Sequence, residues 1–148
     1  MAESIVLADT HATAAAGAAL AAWVEPGDVI TLAGPLGAGK TSLARGLLAA
    51  LGLAGEAPSP SFAIVQPYDT PEVRIPVLHV DLYRIDDVCE LDELGLEEAQ
   101  RDAVLLVEWP ERAAGRWPDA LCLTLAMDGE GRRLTAAVPP AWERRWPW

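Results

Sequence analysis

Asparagine is absent from this 148-residue chain, and lysine occurs once, at Lys40. A guanine-reading N-K-x-D signature needs both residues, so guanine specificity has no place here. Cations are scarce in general: 11 Lys+Arg against 22 Asp+Glu leave a formal charge of −11. Such a chain is a poor direct grip for a phosphate backbone, which requires clustered cations. Cysteine occurs twice, at Cys89 and Cys122, without C-x-x-C spacing. That excludes a zinc module and a disulfide scaffold, and it suits a reducing cytoplasm. Long apolar runs are missing as well. The alanine-rich stretch from Ala12 to Val24 is interrupted by Gly17 and preceded by Glu3 and Asp9. It reads neither as a signal peptide nor as a membrane span.

What is present suffices for a core. Hydrophobic residues make up 51% of the chain, and the length, 1–148, is that of one domain. Ser4 to Ala8 reads as a strand, with Thr10 as the cap of an alanine-rich helix. Asp28 to Ala33 is a buried-strand pattern ending at a glycine. Thr41 to Leu51 carries leucines at helical spacing and stops at Gly52. After a loop at Pro58 and Pro60 come two strand-like segments, Phe62 to Tyr68 and Val73 to Asp81. Asp86 to Asp102 is acidic and helical in pieces, broken at Gly95. Ala103 to Glu108 is a second wholly apolar run ending in an acid. Leu121 to Ala126, the turn Asp128-Gly129-Glu130-Gly131 and Arg133 to Val138 read as a hairpin. The expected fold is α/β: a mainly parallel sheet of the phosphate-loop NTPase type, flanked by helices, with an antiparallel C-terminal hairpin. The last residues, about 141–148, hold Trp142, Trp146 and Trp148 beside Arg144 and Arg145 and read as a flexible tail.

Gly34-Pro-Leu-Gly-Ala-Gly-Lys40-Thr41 fits G-x-x-x-x-G-K-[ST], with a strand before it and a helix after it. Glycines let several backbone N–H groups turn toward one anion, and the helix N-terminus adds partial positive charge. Leu36, Gly37, Ala38, Gly39, Lys40, Thr41 and Ser42 are therefore the expected phosphate-binding positions. Lys40 reaches the β- and γ-phosphates, and the Thr41 hydroxyl serves Mg²⁺. Every other cation is arginine, so the one lysine stands where a compact, flexible ammonium is needed. Two apolar runs end in acids, Asp81 and Glu108. Strand C-terminal ends gather beside the loop in such a sheet, so both carboxylates are candidate Mg²⁺ or water ligands, with Lys40 the third catalytic candidate.

Small-molecule kinases close an arginine-rich lid over their acceptor, whereas Asp81 to Glu111 holds eleven acids against Arg84 and Arg101. An ATPase acting with another protein fits better, with a small-molecule kinase as the alternative. The order GPLGAGKT, SPSF (Ser59 to Phe62), HVDLYR (His79 to Arg84), ELGLEE (Glu93 to Glu98) and VEWPER (Val107 to Arg112) resembles the TsaE (YjeE) family. The resemblance runs from Asp28 to Arg112 and more weakly through Gly131-Arg132. It implies an ATP- and Mg²⁺-dependent cytoplasmic ATPase of the tRNA threonylcarbamoyladenosine pathway. That ATPase works with a TsaB–TsaD heterodimer, reaches tRNA only indirectly, and involves no membrane. By position it implies phosphate and Mg²⁺ roles for Lys40 and Thr41, and a switch-like role for Ser61. Asp81 matches the Walker B-type acid, Glu108 a second acidic ligand, and Trp109 a tryptophan beside the nucleotide. Two positions depart from the family pattern. Ser61 replaces threonine, keeping the hydroxyl without β-branched stiffness, and Pro35 replaces an acid and removes one N–H. Arg84 is expected to pair with an acid of its own segment, and His79 to be a core histidine.

Overall fold

The computed structural model describes residues 2–55, 65–87, 89–113 and 115–148. Ser61, the loop expected at Pro58 and Pro60 and the start of the strand expected from Phe62 lie outside them. The chain begins with β1 (Ala2–Leu7) and α1 (Thr10–Ala21). The cap of α1 is Asp9, one residue before the expected Thr10: its carboxylate accepts from Ala12 N at 2.8 Å. A carboxylate also complements the positive end of the helix better than a hydroxyl does. Next come β2 (Val29–Ala33) and α2 (Lys40–Ala50). These are followed by β3 (Val65–Tyr68) and β4 (Val77–Asp81). β4 starts four residues later than Val73, after Pro76, although Val73 itself packs in the core. The acidic stretch forms only the short helices α3 (Cys89–Asp92) and α4 (Leu96–Gln100), separated at Gly95. Then come β5 (Val104–Glu108) and the hairpin β6 (Leu121–Asp128) and β7 (Gly131–Ala137).

One seven-stranded sheet results, in the order β1-β7-β6-β2-β5-β4-β3. β6, β2, β5 and β4 run parallel in its centre. The C-terminal hairpin is antiparallel, as the Asp-Gly turn predicts, and β1 adds to it antiparallel. The other edge is antiparallel too, because β3 returns directly onto β4.

Alternation along β5 splits the core into two. Val104 and Leu106 face α1 and α2, joined by Ile30, Leu32, Leu43, Leu47 and Leu48. Leu105 and Val107 face the acidic segment, joined by Leu82, Leu91 and Leu96. A strand covered on both faces reads as a continuous apolar run, which is why AVLLVE was legible as one. On the first face α1 and α2 meet backbone to backbone. A Cβ at Gly17 would overlap the Leu43 carbonyl, and one at Gly46 would overlap the Ala14 carbonyl. The glycine that interrupts the alanine run is thus half of a reciprocal helix contact.

Within residues 141–148, expected as a flexible tail, Trp142 and Trp146 are buried. Trp142 is 1% exposed and belongs to the larger core. The Arg145 guanidinium holds Asp28 through two bonds, 2.7 and 3.0 Å, donates to Trp23 O at 2.8 Å, and lies 4.2 Å from the Trp142 ring. The sequence reading missed this because Asp28 is more than a hundred residues away. Among the described residues, no helix is long and apolar enough to cross a membrane.

Candidate functional site

The loop between β2 and α2 crosses the C-terminal edge of the parallel strands. Gly39 caps α2 with φ of 102°, a left-handed conformation open to glycine at little cost. No side chain caps this helix. The first-turn amides of an eleven-residue helix are therefore left for a ligand, with the helix dipole behind them. Lys40 stands at the first helical position, 5% exposed. Its Nζ donates to the Gly34 carbonyl at 2.6 Å and lies 3.5 Å from the centre of the Trp109 ring. Burial pulls its pKa below the usual lysine value, opposed by the negative fields of Glu108, Glu111 and Asp81.

Sheet register delivers the acids. Asp81 and Glu108 are direct partners at the ends of the parallel pair β4/β5, and both are buried. Asp81 Oδ1 accepts from Tyr83 N at 2.9 Å. Burial raises the Asp81 pKa, that hydrogen bond lowers it, and the neighbouring Glu108 charge raises it again. Glu108 Oε2 lies 2.6 Å from His79 Nε2, in a contact buried on both sides. Trp109 follows with φ of 61°, rare for a large side chain. Its ring lies 4.9 Å from that of Tyr83.

Leu36, Gly37, Gly39, Lys40, Thr41, Ser42, Asp81, Glu108 and Trp109 line one cleft. Ala38 is placed differently from the other loop positions. Its side chain is fully buried, and its N–H donates to the Pro35 carbonyl at 3.2 Å. Arg84 is exposed and forms no ion pair among the described residues, contrary to expectation. The segment's acids turn instead to Arg116, which reaches Asp92 at 2.7 Å and Glu97 at 3.1 Å.

A second cleft opens on the other side of the same loop, lined by Asp9, Thr10, Thr13, Gly37, Gly39, Ser42, Glu130, Gly131 and Arg132. Arg132 donates to the Gly37 carbonyl at 3.0 Å, tying the hairpin to the loop. Motif reading gave no role to Thr13 or Arg132, because α1 reaches the loop by packing on α2 and β7 reaches it through sheet pairing. The available signal was the Gly131-Arg132 pair at the far end of the resemblance.

The donor set fits Mg²⁺. Among the described residues no three His, Cys, Asp or Glu side chains form a metal cluster, so the protein alone supplies no closed cage. Mg²⁺ needs none: it prefers oxygen, retains waters, and shares one or two carboxylates with substrate phosphates. Two buried, mutually repelling carboxylates in the cleft that Thr41 also lines match that demand.

Fold and loop together define an α/β protein of the phosphate-loop class. The chain belongs to the TsaE family, whose model, "Threonylcarbamoyl adenosine biosynthesis protein TsaE", matches residues 7–135. The protein of that function from Bacillus subtilis is 37% identical over 115 residues, covering 76% of this chain and 70% of the relative. The one from Streptomyces coelicolor is 41% identical over 96 residues, covering 64% and 65%. The crystal structure of YdiB from Bacillus subtilis superposes with a TM-score of 0.80 at 29% identity, over 99% of this chain and 91% of that one.

Proposed function

We propose that this protein is a Mg²⁺-dependent cytoplasmic ATPase that supports tRNA threonylcarbamoyladenosine formation together with a TsaB–TsaD-type complex, meeting tRNA only through those partners. The carrying observation is the convergence of Lys40, Asp81 and Glu108 on an uncapped helix N-terminus within one cleft. The amides of Gly37 and of Gly39 to Ser42 cradle the phosphates, and Lys40 exchanges the Gly34 carbonyl for phosphate oxygen. Thr41, Asp81 and Glu108 hold Mg²⁺, which neutralises developing charge on the phosphates when bound. Glu108 also orients the attacking water, while the Trp109 ring screens the lysine from bulk solvent. The cleft on the other side of the loop, with Thr10, Thr13 and Arg132, receives the nucleoside end.

Membership of the family supports the pathway, and the chain's acidity supports leaving tRNA to partners. The test measures ATP hydrolysis by the protein alone, with small phosphoryl acceptors, and with a TsaB–TsaD pair. Stimulation by the pair is expected, whereas phosphoryl transfer to a small acceptor would establish the kinase alternative. Lys40→Ala is expected to weaken ATP binding at least 100-fold by calorimetry. Tight binding by that variant would remove the loop from the mechanism.

A further inference from the structure

We infer that His79 is a positioning residue, holding Glu108 so that its carboxylate is presented to the Mg²⁺–nucleotide. The inference rests on the Mg²⁺-dependent reading of the cleft. Strand alternation places His79 and Asp81 on the same face of β4, and register sets His79 opposite Leu106, one pleat behind Glu108. From there Nε2 donates to Glu108 Oε2 at 2.6 Å. Among the described residues this is the only hydrogen bond to the Glu108 carboxylate, whereas Asp81 is fixed by the Tyr83 amide. Glu108 is 4% exposed, and its three side-chain torsions have no other polar restraint. The bond occupies one oxygen and leaves Oε1 for the cleft that Glu108 lines.

Two further observations separate this role from packing. His79 is 1% exposed, and its Nδ1 is buried without a partner. A core position that needed only volume would be served more cheaply by leucine, since an unpaired ring nitrogen costs free energy in the interior. Secondly, Lys40 Nζ is bonded to the Gly34 carbonyl and not to Glu108. An unrestrained carboxylate beside a buried ammonium would close onto it and withdraw both groups from the ligand. The His79 bond opposes that collapse.

The test compares the full-length protein with His79→Leu, which removes the donor at similar volume, and His79→Gln, which returns an amide donor. His79→Met is the second donor-free variant should His79→Leu fail to fold. Two affinities are measured: ADP without metal, from tryptophan fluorescence, and Mn²⁺ for the ADP-loaded protein, from electron paramagnetic resonance. Metal-free ADP affinity is expected to stay within threefold of the parent in every variant. Mn²⁺ affinity is expected to fall about 10- to 100-fold in the donor-free variants, the usual effect of losing a group that orients a metal ligand. His79→Gln is expected to restore it to within threefold. Parental Mn²⁺ affinity in the donor-free variants, or an equal loss in His79→Gln, would overturn the inference. So would a parent that binds no Mn²⁺ with ADP. Neither readout uses hydrolysis, so an inactive parent would overturn the ATPase reading while leaving this result interpretable.

Discussion

Asp81 carries a cost that the site needs. Burial and the facing Glu108 hold its pKa above the ordinary 3.8. The folded chain therefore holds that proton more tightly than the unfolded chain does. Above the ordinary carboxylate range, ionised Asp81 is a penalty borne by the folded state alone, and it vanishes when acid protonates both states. Asp81→Asn keeps an acceptor for the Tyr83 amide and removes the charge. It is expected to melt higher at pH 7, because the folded state no longer carries the buried charge. The gain should fade as pH falls through the carboxylate range, and Mg²⁺-dependent turnover should be lost. Calorimetric melts at pH 7 and pH 3.5 check the sign; a variant that melts lower at pH 7 would contradict it. That Lys40, Asp81 and Glu108 would line one cleft was legible in the sequence, because each holds a motif position or is an acid ending an apolar strand. His79 was read only as core, although its i, i+2 spacing from Asp81 already put both on one face. Its partner Glu108 arrives from another strand, and that pairing register is invisible to local pattern.

The elements were legible wherever the period was strong. The two buried strands and the leucine-bearing helix α2 emerged within a residue or two of their expected bounds. The start of α1 was misplaced by one residue, since Asp9 and Thr10 are both capping types and only geometry chooses between them. Its packing face was unreadable, because alanine all round marks no side. The Gly17/Gly46 contact supplies what the pattern lacks: α1 is oriented by backbone approach to α2, which in turn fixes the loop running into Lys40. Gly46→Val would drive a branched side chain into the Ala14 backbone, which cannot yield as a flexible side chain could. A loss of about 3 kcal/mol or more is expected, at the upper end for overpacking. Urea unfolding measures it, and a loss below 1 kcal/mol would show that the helices can part at little cost.

Across the whole molecule, β2 links two ends with different tasks. Its C-terminal end feeds the glycine-rich loop, and its N-terminal end is held by Arg145 through Asp28, with Trp142 packed beneath. Trp142→Ala is expected to cost about 3–5 kcal/mol in urea unfolding. ADP affinity of the folded fraction should stay within twofold, because the lesion lies at the opposite edge of the sheet. A tenfold loss of ADP affinity would mean that strain travels along β2 into the loop. The strand order also constrains the time course of assembly. Among the described residues β2 pairs only with the strands β5 and β6, and β1 only with β7, with Ala2 opposite Ala137. During synthesis from the N-terminal side β2 therefore waits, edges bare, for β5, and β1 waits longer, for β7. The α1–α2 pair, built from neighbouring stretches of sequence, can close before either strand finds its partner. The interlocked glycines that join α1 to α2 thus let a growing chain cover apolar surface before its central strands are paired.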